Sequence, residues 1–226
     1  GSLGSITSSA IGKGGLTFNG GTLSSNGLSG RTLYNLVTFT GDGTFGYGGN
    51  TGQLTLGGAV DLGSATRTLT VNTSTTAELD GVLSSATSTT GLSKAGSGTL
   101  LLTNANTYTG TTSISNGTLK LGNSNNTTLS SLTNLTMSGS GVLDLDGHNQ
   151  TVASLTGASG NTILNSVSST TSTLTVSGGT TTYAGVIEDN AGTGGVVALT
   201  VNGAILTLTG ANTYTGTTTL SSGALL

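Results

Sequence analysis

Cysteine, proline and tryptophan are all absent from this chain of 226 residues, and only 6% of it is charged. Each absence removes a class of explanation. Without cysteine there is no disulfide frame of the kind that staples small secreted domains. A zinc site would have to be built from carboxylates around the single histidine, His148. The five basic residues, Lys13, Arg31, Arg67, Lys94 and Lys120, are scattered. They form no stripe that could neutralise phosphates, so nucleic acid is not an expected partner. No apolar run approaches the roughly 18 residues of a membrane helix, so this segment is not expected to insert into a membrane. The opening Gly1-Ser2-Leu3-Gly4 lacks the charged and apolar regions of a signal peptide, which is expected either of a processed chain or of a piece of a longer one.

What fills the space is Thr, Ser, Gly, Asn and Leu, with 40 glycines and a net charge of −3. Low charge and recurrent β-branched residues argue against disorder and for a β-rich repeat. Large apolar and small polar residues alternate in Leu54-Thr55-Leu56, Leu69-Thr70-Val71, Leu119-Lys120-Leu121, Leu143-Asp144-Leu145, Leu174-Thr175-Val176 and Leu206-Thr207-Leu208. That period of two predicts strands with one buried and one wet face. Gly, Asn and Ser clusters separate the runs and predict turns. No stretch has helical periodicity.

A long repeat is superimposed on this grain. Asn104-Ala105-Asn106-Thr107-Tyr108-Thr109-Gly110 returns 106 residues later in Gly210-Ala211-Asn212-Thr213-Tyr214-Thr215-Gly216. Leu100 and Leu102 return as Leu206 and Leu208, and with a small slip most of residues 69–121 returns as 174–226. Self-similarity at a fixed offset favours a solenoid over a sandwich. The expectation is an all-β, right-handed, single-stranded parallel β-helix of about ten coils, if a coil takes about 20–25 residues. Residues 1–226 would form one β-helical segment of a longer array, with each long repeat worth four or five coils. Leu100, Leu102, Leu206 and Leu208 should point inward. Asn106 and Asn212 suit a tight corner in a left-handed conformation. Gly110 and Gly216 suit the next corner. Tyr108 and Tyr214 should cover the core edge with the hydroxyl wet.

Residues 91–121 closely resemble the autotransporter-associated β-strand repeat, also called the passenger-associated transport repeat, and 199–226 resemble it with a less regular start, Asn202-Gly203-Ala204 standing where Gly96-Ser97-Gly98 would be. The resemblance implies a β-helical passenger of type V secretion, displayed at or released from a bacterial outer surface. It implies no catalytic residues and no cofactor.

Candidate chemistry is sparse. Asp144 and Asp146 flank Leu145, and Glu78 and Asp80 flank Leu79. Alternation should turn each pair outward on one face, a spacing compatible with glycoside hydrolysis or, for Asp144 to Gly147, with part of a calcium loop. Neither pair has the aromatic neighbours that hold a sugar, and a solvated face is the expected reading. His148 reads as a turn residue. Phe39, Phe45 and Tyr47, with Tyr34 nearby, are the one aromatic concentration, expected to plug an irregular coil. No catalytic, cofactor or metal residues are assigned. Three roles follow: a surface stalk or adhesin, a self-assembling filament or matrix protein, and, last, a carbohydrate-active enzyme. Expected partners are other copies of the chain, end-to-end or lateral, or a host or abiotic surface.

Overall fold

A computed structural model describes residues 11–25, 27–190 and 194–226; the opening Gly1 to Gly4 lies outside them. The described residues form 22 strands and no helix. Every strand pairing is parallel, and each strand pairs with residues one coil away. Alternating Leu and Thr cannot bury a face alone, so the runs wind into a β-solenoid of about nine turns. A coil takes from 19 residues, at Leu100↔Leu119, to 26, at Gly157↔Tyr183.

Three faces repeat around each turn. The first carries Val37, Val60 and, further on, Leu174 and Leu199 in register. The second carries Leu69, Lys94, Ile114 and Met137. The third carries Leu54, Ala77, Leu100, Leu119, Leu143, Ile163 and Ile187. Inward residues of all three faces meet in one core, and Leu100, Leu102, Leu119, Leu121 and Leu206 are fully buried. Leu208 packs on the core and is only partly buried. Burying each such leucine contributes about 1.5–3 kcal/mol.

The long repeat is not a whole number of turns. From Leu100 the third face returns at Leu119, Leu143, Ile163 and Ile187, four turns on. Leu206 lies two faces beyond Ile187, on the second face opposite Thr181. The offset is therefore about four and two-thirds coils, and the second copy of the motif is turned by one face relative to the first.

Corners are set by close approach. Gly117 has φ 63°, and a Cβ there would lie 2.5 Å from the carbonyl oxygens of Gly96 and Gly98 in the preceding coil. Only glycine suits both the backbone and the space. Near the N-terminal end Phe18, Phe39 and Phe45 plug the core, with ring centroids 5.1 and 6.1 Å from Phe18. Tyr34 and Tyr47 stay outside, 46% and 71% exposed.

Candidate functional site: the repeated motif and the outer faces

In the first copy of the motif the chain leaves regular strand geometry between Leu102 and Thr112. Side chains take over the inter-coil bonding there. Asn106 Oδ1 accepts the Leu83 backbone N–H at 2.7 Å, and its Nδ2 donates to the carbonyls of Thr128 at 2.8 Å and Asn104 at 3.1 Å. One side chain thus joins the coil before to the coil after. The left-handed corner expected at Asn106 and Asn212 is not found, since neither has positive φ. The amide is used as a substitute peptide group rather than as a turn former. Asn212 repeats the first bond, accepting the Ile187 N–H at 2.8 Å.

Tyr108 corrects a second expectation. Its hydroxyl is buried, not wet, and meets Thr112 Oγ1 at 2.8 Å. Thr112 continues to Thr133 at 3.1 Å, and Thr133 donates to the Gly110 carbonyl at 2.5 Å. Burial raises the phenol above its ordinary range, against the smaller opposing effect of the Thr112 bond. Tyr214 makes the equivalent contact with Thr218 at 2.8 Å, in an exposed setting. Gly110 and Gly216 do sit where the chain turns, but neither has positive φ. A Cβ on Gly110 would strike the Thr90 carbonyl, and one on Gly216 the Val197 carbonyl.

Lys94 was not foreseen as a core residue. It occupies an inward slot on the second face, fully buried, between Leu69 and Ile114. Its ammonium donates to the carbonyls of Ala95 at 2.9 Å, Gly96 at 2.7 Å and Asn116 at 3.0 Å. Burial pushes it down to about 8. The only sequence signal was parity: Lys94 is two residues after inward Leu92.

The carboxylate pairs are occupied. Asp144 keeps the outward register it shares with Lys120 but is covered rather than solvated, 5% exposed, and its Oδ1 accepts the N–H groups of Asp146 at 2.9 Å and Ser166 at 3.0 Å. Asp146 lies in a turn with φ 48° rather than on the strand. Lys120 reaches both, at 3.3 and 2.8 Å. Burial lowers the Lys120 ammonium, but the two carboxylates outweigh it and raise it above its ordinary value. Glu78 accepts Gln53 Nε2 at 2.6 Å and Thr55 Oγ1 at 2.8 Å, and Asp80 accepts Thr103 Oγ1 at 2.8 Å. These acids bond neighbouring coils along or beside the third face. His148 follows the Asp146 turn, with its N–H on the Leu145 carbonyl at 2.9 Å. Among the described residues no three His, Cys, Asp or Glu side chains converge as metal ligands.

One groove, of about 320 Å³, opens on the first face where regular strands lapse at the levels of Asn106 and Leu129. Its floor holds a second amide bracket. Gln150 accepts the Leu129 N–H at 2.9 Å and donates back to the Leu129 carbonyl at 2.9 Å.

Searches of curated proteins and of solved structures give no match. A family model described as the passenger-associated-transport-repeat matches residues 92–121 and 199–226. These two stretches hold Asn106, Tyr108 and Gly110 and their counterparts Asn212, Tyr214 and Gly216, and so the chain carries two copies of the passenger-associated transport repeat, the repeat of autotransporter passengers.

Proposed function

We propose that this chain is a structural passenger segment, a stalk or adhesive surface displayed on or released from a bacterial cell by the type V route. The observation that carries the reading is how the matched repeats are used. Asn106 and Gly110 are committed to bonds and close approaches between coils and Tyr108 to a bond across its own bend, and Asn212, Gly216 and Tyr214 reproduce these one face away. A motif spent on stacking coils builds length and presents outer faces; it leaves no side chain poised for catalysis. The reading gives the chain no catalytic role and no cofactor.

The test is immunogold labelling of intact cells of the source organism with antibody raised against this chain. Label on the outer surface, removed by external protease, supports the proposal. Label confined to the cytoplasm of sectioned cells contradicts it.

A further inference from the structure

We infer that Asn116-Gly117 is a self-modifying site, at which the chain converts Asn116 through a cyclic imide into isoaspartate with loss of ammonia. This goes beyond the passenger reading and does not depend on it.

The dipeptide sits at an irregularity, where the register against strand Asn134–Asp144 shifts between Ile114 and Asn116. The groups that the reaction needs meet there. The Gly117 N–H donates to Asn116 Oδ1 at 2.8 Å, so the attacking nitrogen lies within reach of Cγ, the carbon that carries that oxygen. Glycine adds no side chain to hinder the approach. The Ser140 hydroxyl, in register on the following coil, donates to the same Oδ1 at 2.7 Å. On the other side the Lys94 ammonium donates to the Asn116 main-chain carbonyl at 3.0 Å. Burial leaves that ammonium at about 8, so it is mostly charged at neutral pH. Asn116 and Ser140 are exposed, so water reaches the reacting carbon.

Each contact has a task. Hydroxide removes the Gly117 amide proton, and the negative charge spreads onto the Asn116 carbonyl oxygen, where Lys94 offsets it. The nitrogen then bonds to Cγ, and the charge moves to Oδ1, where the Ser140 hydroxyl donates to it. The Cγ–Nδ2 bond breaks, and Nδ2 takes a proton from water and leaves as ammonia. A second water opens the imide. Lys94 polarises the former main-chain carbonyl, so water adds there and breaks its bond to the Gly117 nitrogen, which regains a proton. The chain now runs through the former side-chain carbonyl, and the product is isoaspartate.

Lys94 also favours this product. It is fully buried and donates to three neutral carbonyls, and a buried charge is costly without an opposite one. The freed α-carboxylate forms where its ammonium already points. Other asparagines lack the full set. At Asn104-Ala105 the N–H also meets Oδ1 at 2.8 Å, but alanine carries a methyl group and the Asn104 carbonyl accepts the neutral Asn106 amide. Asn202-Gly203 has the glycine and a hydroxyl, Ser222 at 3.1 Å, but the bonds of the Lys94 and Lys120 ammonium groups lie elsewhere.

The test is site-resolved mass spectrometry of the full chain incubated at neutral pH in heavy-oxygen water, once folded and once unfolded in guanidinium chloride. Folding should speed conversion of Asn116 by about tenfold or more, because a held geometry replaces a search. It should also raise the ratio of isoaspartate to aspartate at that position above the unfolded value. Asn202 in the same samples should show neither effect. Ser140→Ala should slow Asn116 by about threefold or more, and Lys94→Met should both slow it and lower the isoaspartate ratio, with circular dichroism confirming that each variant is folded. Conversion of Asn116 no faster in the folded chain, an isoaspartate ratio equal to the unfolded one, equal acceleration at Asn202, or folded variants that convert at the unsubstituted rate would each overturn the proposal. The comparison of folded with unfolded chain needs no variant and decides the matter if either substitution prevents folding.

Discussion

Tyr108 and Tyr214 hold the same place in the repeated motif and make the same 2.8 Å bond to a threonine four residues on, yet they stand on different faces of the solenoid. Tyr108 lies beyond Leu83 on the first face, and Tyr214 lies beyond Ile187 on the third. The motif is therefore a local device for one bend and its two neighbouring coils, indifferent to which face carries it. Tyr108 is fully buried. Tyr108→Phe leaves Thr112 one partner short in a buried chain and should cost about 1–3 kcal/mol. Urea unfolding of the variant checks this.

Asn106 substitutes for a missing strand, and its loss should be felt on both sides. Asn106→Ala strands the Leu83 N–H, which donates to Asn106 Oδ1, and removes the Thr128 contact. We expect about 2–4 kcal/mol of destabilisation, more than a surface asparagine, because buried groups left unpaired carry their full desolvation cost. Amide hydrogen exchange should accelerate most at Leu83.

Lys94 gives the stability a definite slope with pH. Its folded value, about 8, is below the ordinary lysine value of 10.5. The unfolded chain therefore binds more protons between those values, and stability rises as pH increases through that window. Lys94→Met, similar in volume and uncharged, should flatten the rise while keeping the fold. Melting temperature measured from pH 7 to pH 10.5 for both proteins is the check.

Asp189 acts at the acid end. Burial alone would raise it, but hydrogen bonds from the Thr215 hydroxyl and from the Val197 and Thr215 N–H groups hold it below its ordinary value. Its contribution is present above the unfolded carboxylate value and is lost as pH falls through the lowered one. Once the intrinsic exchange rate is divided out, protection of the Val197 and Thr215 amides should fall in that acid window, and Asp189→Asn should remove the fall.

Much of this fold is written in the sequence one position at a time. Leu54-Thr55-Leu56 and Leu174-Thr175-Val176 became strands with the expected sides buried, because period two needs no long-range information. The repeats were visible as well, and Leu100 and Leu102 lie in the core as their parity requires. What stayed hidden depends on the coil one turn away. The one-face rotation between copies is fixed by coil lengths that vary from 19 to 26 residues. Asn106 looked like a turn former because its partners, Leu83 and Thr128, are more than 20 residues off in either direction. Lys94 breaks the apolar parity of its slot, and only the carbonyls of Gly96 and Asn116 explain why it is tolerated there. The first-face groove arises from strands that lapse, which no residue announces.

The stacked, in-register coil is the claim on which the rest depends, and the absence of native cysteine makes it directly measurable. Thr55 and Glu188 stand on the third face six coils apart, through Glu78, Leu101, Lys120, Asp144 and Leu164. Spin labels on Thr55→Cys and Glu188→Cys should give a narrow distance distribution near about 29 Å, six steps of about 4.8 Å. A broad distribution, or a narrow one far from that value, would contradict it.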